Sequence, residues 1–264
     1  MKFLQSLRIS LFDLDLIILI IPALVTGLII SSTHAPLGRE VLRRGIIFID
    51  LAVAQVAGLA IVATGLWLPH ASWIITQAIA ISAALLIAAF FHLIEQRNAK
   101  EQEAVIGSTY ILAASIVLVL LASDPRGGED IQQILSGQIL LVTWSKIGAL
   151  TPIYVIAGLI WLLFPQLRKG FAFYALFAIV ITASVQLVGV YVVFASLVFP
   201  ALAVSRLNKR QSLASLVCGF LSIFLGLTCS LAFDQPAGPM LVVSYAILGI
   251  VFRFYNYLTS RVTQ

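Results

Sequence analysis

Long apolar runs separated by short polar segments dominate the chain. Seven of them are close to the roughly 20 residues that a helix needs to cross the hydrocarbon core of a bilayer. They are Leu14–Ser32, Gly45–Leu68, Ser72–Ile94, Ala104–Ser123, Lys146–Phe164, Leu213–Phe233 and Met240–Leu258. A longer run covers Phe171–Val204, and a shorter patch, Ile131–Val142, precedes Lys146. The pattern predicts an all-α, polytopic transmembrane bundle with about eight or nine crossings, forming one integral membrane domain over residues 1–264.

The composition agrees with lipid as the main solvent. Hydrophobic residues make up 61% of the chain and charged residues 10%, whereas a soluble domain carries about 25% charged residues. The phosphate-binding pattern G-x-x-x-x-G-K-[ST] is absent from the sequence. We therefore expect any ATP hydrolysis to come from a separate polypeptide, and we expect no cofactor.

The basic residues indicate which segments face the cytoplasm. The net charge is +5, and the lysines and arginines lie mostly in short segments between apolar runs. Such residues act as orientation signals in membrane proteins, so they do not indicate nucleic-acid binding. The segments predicted to be cytoplasmic contain Arg39–Arg44, Arg97–Lys100, Arg168–Lys169, Arg206–Arg210, and Arg253 with Arg261. The segments predicted to face outward are Trp67–Trp73, Ser123–Asp130 and Asp234–Pro239, which places the N-terminus outside and the C-terminus inside.

The long run Phe171–Val204 has basic residues at both ends, so it should cross twice or enter and return. That run is short for two full spans. A broken helix or re-entrant segment, interrupted at Gly189 and Pro200, fits this length. Such backbone is tolerated where it is buried in protein or lines a cavity. Gln186–Pro200 is therefore a candidate pathway or subunit interface, and the alternative is two short, tilted spans without a special role.

Ionisable residues inside apolar runs are candidates for function, and Asp50 is the clearest. Its carboxylate could serve transport, or it could be paired with a basic neighbour or favoured by the dipole of the first helical turn. Ala54 and Gly58 share its face and permit close helix contact. Gln55 lies about 140° around the helix from Asp50. The candidate pathway or gate residues are Gln55, Gln186, Gly189 and Pro200, with Asp50 as the candidate metal residue.

The remaining chemistry-bearing residues form no site in the sequence. His34 and His70 are predicted in or beside loops, and His92 lies near the end of its run. None is spaced as a ligand pair with another His, Asp or Cys. Cys218 and Cys229 share one apolar run and are expected to pack rather than form a disulfide. No G-x-S-x-G or H-E-x-x-H motif is present, so we expect no catalytic residues.

Three stretches, in order along the chain, resemble the permease subunit of bacterial ABC importers for zinc and manganese. Gly38–Gly58 reads GREVLRRGIIFIDLAVAQVAG, with paired arginines before a helix that opens with Asp. Glu101–Gly137 begins EQEAVIG and ends ILSG. Gln186–Pro239 contains QLVGVYVVFASLVFPALAVSRL and FDQPAGP. The most specific phrase is V-G-x-x-x-V-x-x-x-L-V-x-P-A-x-A, within the third stretch.

The resemblance implies a homodimeric permease of the vitamin-B12-importer type of helical fold, in the inner membrane of a bacterium. It implies a cytoplasmic ATP-binding subunit, an extracytoplasmic metal-binding protein and alternating access driven by ATP. The permease itself would contribute no catalytic residue. An ATPase-independent transporter, or a non-transporting membrane component on the same scaffold, is the alternative.

The chain departs from this family pattern at two positions. The family usually places a His four residues after the Asp of its second span, and that residue here is Ala54. Relatives also often carry a short helix that docks on the ATPase after the fifth span. Here that segment is only Pro165–Gly170, so we expect the ATPase to contact Arg97–Glu103 or Arg206–Ser212, or coupling to differ.

Overall fold

The computed structural model describes residues 14–122, 128, 132, 135–205, 207 and 211–262. Within these ranges the chain is helical and contains no β-strand. The α-helices are α1 (Leu14–Arg44), α2 (Ile49–Trp67), α3 (Trp73–Asn98), α4 (Gln102–Leu121), α5 (Trp144–Leu163), α6 (Gly170–Val204), α7 (Gln211–Phe233) and α8 (Ala237–Val262). All eight of these described helices are long and apolar enough to cross a membrane, which confirms the predicted all-α, membrane-spanning class.

Helix α1 is longer than its apolar run predicts. It continues past Ser32 to Arg44 and covers 31 residues, or about 46 Å, against about 30 Å of hydrocarbon. The prediction of a basic loop at 39–44 is therefore wrong. Glu40 sits one turn before Arg43 and Arg44 and pairs with both, at 2.5 and 2.8 Å, and such pairs stabilise a helix beyond its apolar part.

Helix α6 covers 35 residues and leaves helical geometry only at Gly189, where φ is 79° and ψ is 165°. The predicted break at Gly189 is therefore confirmed. The predicted interruption at Pro200 is wrong, because Pro200 is buried inside regular helix. A proline lacks the backbone N–H group of a regular helical residue, and a helix buried in protein can tolerate this loss. How often Phe171–Val204 crosses the membrane stays a prediction.

The break in α6 lies against a second glycine, Gly137, from within the patch that precedes α5. Gly137 and Gly189 both have positive φ, 65° and 79°. A Cβ atom on Gly189 would lie 2.3 Å from the Gly137 nitrogen, and one on Gly137 would lie 2.2 Å from the Val188 carbonyl. Only glycine permits this conformation together with this approach. Residues 131, 133 and 134 of the predicted patch lie outside the described residues, as does most of Ser123–Asp130.

The chain divides into two compact units, and the prediction of one domain over 1–264 is not tested by this division. The first unit comprises Met1–Arg39, Gln138–Pro152 and Ala195–Gln264. In it, small residues let helices approach closely. A Cβ on Gly226 of α7 would lie 2.9 Å from the Leu241 Cα of α8, and one on Gly38 of α1 would overlap the Leu197 carbonyl of α6.

The second unit comprises Glu40–Gly137 and Ile153–Phe194. Helix α2 packs against α3 and α4 there. One face of α3 carries Ala80, Ala84 and Ala88, which are fully buried, while Leu86 on another face is 73% exposed. Since the chain spans a membrane, the exposed apolar face is the one that meets lipid, and the alanine face is the one that meets protein.

We expect Gly189→Ala to destabilise the chain strongly. An alanine with φ near 79° costs about 1–3 kcal/mol in backbone strain, and its Cβ would meet the Gly137 nitrogen at 2.3 Å. Thermal unfolding of the purified chain in detergent measures the effect, and we expect a lower Tm and a smaller monodisperse fraction. Gly158→Ala in α5 is the control, because a Cβ there meets nothing within 4 Å. Equal Tm values for the two variants would contradict the packing role of Gly189.

Candidate functional site

Asp50 lies in the first turn of α2, because the helix begins at Ile49 rather than at the start of its apolar run. It is 1% exposed. The backbone N–H groups of Asp50 and Leu51 face its carboxylate, yet neither carboxylate oxygen makes a hydrogen bond of normal geometry with the described residues. None of the ion pairs among those residues includes Asp50. Of the two structural interpretations, the helix dipole applies and pairing with a basic neighbour does not.

Glu103, in the first turn of α4, brings a second carboxylate to the same place. Its Oε1 accepts a hydrogen bond from the Phe48 N–H at 3.1 Å, and Phe48 is the residue immediately before α2. Its Oε2 is buried and has no hydrogen-bond partner among the described residues. Asp50 lies two residues after Phe48, in the first turn of α2. The N-terminus of α2 therefore gathers two carboxylates.

Sequence reasoning included Glu103 in a family motif without assigning it a role. The available signal was an acidic residue at the start of an apolar run, which matches the position of Asp50 in its own run. Gln55 is 3% exposed, and Ala54 and Gly58 are buried with it on α2. The face predicted to pack closely around Asp50 is thus buried.

Gln186 does not project alone into a pathway, because it pairs with Gln77 of α3. The two side-chain amides exchange hydrogen bonds at 2.6 and 2.7 Å, and Gln186 also donates to the Thr182 carbonyl at 3.1 Å. This pair lies one turn before the break at Gly189. Sequence reasoning missed Gln77, although an isolated amide inside an apolar run is the signal that could have found it.

The second unit contains a polar cluster around Arg44. The Arg44 guanidinium bonds to Glu40 at 2.8 Å, Glu95 at 3.2 Å and the Arg168 carbonyl at 2.9 Å. It also lies over the Phe173 ring, 4.1 Å from the centroid. The Arg44 side chain is 12% exposed, so these contacts are largely shielded from water. The cluster joins two of the segments predicted to be cytoplasmic, 39–44 and 168–169.

The histidines are placed differently from the prediction in one case. His34 lies inside α1, not in or beside a loop, and it is fully buried with its Nδ1 2.6 Å from the Ser196 Oγ. His70 lies in an exposed turn, and His92 contacts Glu95 at 3.3 Å. Across the described residues, no group of three or more His, Cys, Asp or Glu side chains could hold a metal ion.

The segment between α5 and α6 is a short turn. Pro165–Arg168 forms a single 3₁₀ turn, and α6 begins at Gly170. The Arg168 guanidinium donates to the Trp161 carbonyl at 2.5 and 2.8 Å, which folds the turn back onto the end of α5. The segment therefore contains no additional α-helix of the docking type.

The helices, the broken span and the buried carboxylates define a polytopic membrane protein of a transport class. The chain belongs to the ABC 3 transport family, whose sequence model matches residues 17–171 and 165–256. It is similar to the high-affinity zinc uptake system membrane protein ZnuB of Haemophilus influenzae, with 26% identity over 265 residues, 89% of this chain and 97% of the relative.

A solved structure has the same fold. PsaBC from Streptococcus pneumoniae, determined in complex with a Fab, matches with a TM-score of 0.69 and 20% sequence identity. The match covers 98% of this chain and 99% of that one. At this identity the likeness establishes the fold alone, and it extends over nearly the whole chain.

We expect Arg44→Gln to lower the stability of the chain, because it leaves Glu40 and Glu95 half-buried without their shared cation. Hydrogen bonds to charged groups contribute about 1.5–3 kcal/mol each, so Tm in detergent should fall by several degrees. Arg43→Gln is the control: Arg43 also pairs with Glu40 but its side chain is 69% exposed, and exposed pairs contribute about 0–1 kcal/mol. A larger effect at Arg43 than at Arg44 would contradict the assignment.

Proposed function

We propose that this chain is the permease subunit of an ATP-binding cassette importer that takes up a divalent metal cation, zinc or manganese. The carrying observation is the family match over nearly the whole chain, joined by a relative that is named for zinc uptake and covered over 97% of its length. The metal is transported cargo here, and the chain is a transporter subunit rather than an enzyme. Its proposed location is the inner membrane of a bacterium.

The transport cycle in this proposal is alternating access driven by partners. The sequence contains no phosphate-binding loop, so a cytoplasmic ATP-binding subunit supplies the hydrolysis. An extracytoplasmic metal-binding protein delivers the cation, and two copies of the permease enclose the pathway. Asp50 is the proposed metal residue, because a buried carboxylate without a hydrogen-bond partner is costly unless a cation or proton compensates it.

The proposed gate is the broken part of α6. Gly189 supplies the break, and the Gln77–Gln186 amide pair fixes the helix one turn before it. Gln55 and Pro200 complete the set of candidate pathway residues. Discontinuous helices of this kind form substrate sites in many transporters, which supports a role in the pathway.

The site of ATPase docking must differ from a helix between α5 and α6, because that segment is one 3₁₀ turn. We propose contact through the turn between α3 and α4, where Arg97 and Lys100 are exposed, or through 206–212. The short turn Pro165–Arg168 is also the observation that favours the second candidate, an ATPase-independent transporter. A non-transporting membrane component is the third.

We expect Asp50→Asn to reduce metal uptake at least about tenfold, because loss of a group that only orients a metal ligand already costs about 10–100-fold. Uptake of radioactive zinc and manganese by cells that carry only the variant measures this. Asp234→Asn is the control, since Asp234 is exposed with φ 50°, a conformation that Asn also adopts. Full uptake by Asp50→Asn at normal expression would leave Asp50 with a structural role only.

We expect the tagged chain to co-purify from its native membrane with a protein that contains G-x-x-x-x-G-K-[ST], identified by mass spectrometry. Combined reversal of Arg97 and Lys100 to Glu should reduce recovery of that protein, since it removes cytoplasmic positive charge. Lys146→Glu, on the side predicted to face outward, should leave recovery unchanged. Metal uptake without any co-purified ATPase would favour the ATPase-independent transporter. Absence of both would favour the non-transporting component.

A further inference from the structure

We propose that Glu103 is the second metal ligand of this permease, and that Asp50 and Glu103 together form an oxygen-only site for a hard divalent cation such as Mn²⁺. The inference rests on the proposed function and names the donor set of its metal site. Its basis is the buried Asp50 and the partly buried Glu103 at the N-terminus of α2, with three buried oxygen atoms that have no hydrogen-bond partner among the described residues.

The four carboxylate oxygens of Asp50 and Glu103 have different surroundings. Glu103 uses Oε1 to accept from the Phe48 N–H at 3.1 Å, which satisfies one of the free N–H groups near the start of α2. This contact accounts for Oε1 and leaves Oε2, together with both Asp50 oxygens, buried and without a hydrogen bond of normal geometry to the described residues. Helix capping alone therefore explains one of the four carboxylate oxygens.

The charges require compensation. Asp50 is 1% exposed, and the Glu103 carboxylate bonds to the backbone two residues before it, at Phe48. No Lys, Arg or His among the described residues forms an ion pair with either carboxylate. Two neighbouring carboxylates in a low-dielectric site repel each other unless a proton or a cation lies between them. A divalent cation neutralises both charges at once.

The donor set determines the class of cation. Carboxylates and water are the ligands of Mg²⁺, Ca²⁺ and Mn²⁺, whereas imidazole and thiolate favour Zn²⁺. Position 54, one turn after Asp50, is a fully buried alanine, so it supplies no nitrogen. Hard cations are often held by one or two carboxylates with water completing the coordination, so two carboxylates from one chain are sufficient.

The test is cation binding by the purified full chain in detergent, with no ATPase present. Free Mn²⁺ is followed by electron paramagnetic resonance, and Zn²⁺ by competition. We expect the wild-type chain to bind Mn²⁺ and Glu103→Gln to bind it at least about tenfold more weakly. The amide oxygen of Gln can still accept from Phe48, so Tm should stay near the wild-type value. Asp50→Asn should weaken binding similarly.

Glu101→Gln is the matched control, because Glu101 is exposed two residues away and makes no capping hydrogen bond. Its Mn²⁺ affinity should equal that of the wild type. Unchanged Mn²⁺ binding in Glu103→Gln would overturn the proposal and leave Glu103 as a cap. Absence of Mn²⁺ binding by the wild-type chain would also overturn the proposal, because the two carboxylates would then share a proton instead of a cation. So would a Zn²⁺ affinity above that for Mn²⁺ by more than about a hundredfold, which indicates nitrogen or sulfur donors.

Failure of this inference is distinguishable from failure of the proposed function. Binding is measured on the isolated chain, whereas transport is measured as uptake by cells. If cells take up metal normally and Glu103→Gln does not change Mn²⁺ binding, the role of Glu103 as a ligand is rejected and the importer function is retained. If Glu103→Gln abolishes Mn²⁺ binding but the wild-type chain transports no metal, the cation site is retained and the importer function is rejected.

Discussion

The structure depends on one constraint: inside lipid, each backbone N–H and C=O group must find its partner within the protein. Long helices meet it along most of the described chain. The places where a helix does not supply these backbone partners are therefore informative. At Gly189 the helix breaks, and the backbone of Gly137 lies against the break. At the start of α2, the Phe48 N–H donates a hydrogen bond to the Glu103 carboxylate. Each interruption has a partner from a distant part of the sequence.

The same constraint explains where polar side chains lie. Asp50 and Glu103 each occupy the first turn of a helix, where free N–H groups and the helix dipole offset some of the cost of a buried charge. Arg44 lies in the last turn of α1, where the dipole favours a cation. The Gln77–Gln186 pair satisfies its own polar groups within apolar surroundings. Asp50, Glu103 and Arg44 thus lie where the helix dipole favours their charges.

The apolar runs predicted the helices because hydrophobic length is a local property of the sequence. The break at Gly189 was predicted because the run that contains it has basic residues at both ends and is short for two full spans. The continuity of α6 through Pro200 and the extension of α1 to Arg44 were not predicted. Helix continuity at these places depends on packing and on the pairs of Glu40 with Arg43 and Arg44. The placement of His34 inside a helix follows from that extension. The approach of Glu103 to α2 joins residues far apart in sequence, and no single run contains it.

The contact between Gly137 and Gly189 also has a consequence for biogenesis. During synthesis the segment ending at Gly137 leaves the ribosome well before Gly189 does, since α5 and half of α6 lie between them. Until then the backbone of Gly137 lacks the backbone of Gly189 that lies against it. Completion of this fold is therefore a late event in translation. A ribosomal pause after α6 would favour correct assembly, and a truncation before Gly189 would leave that segment without its partner.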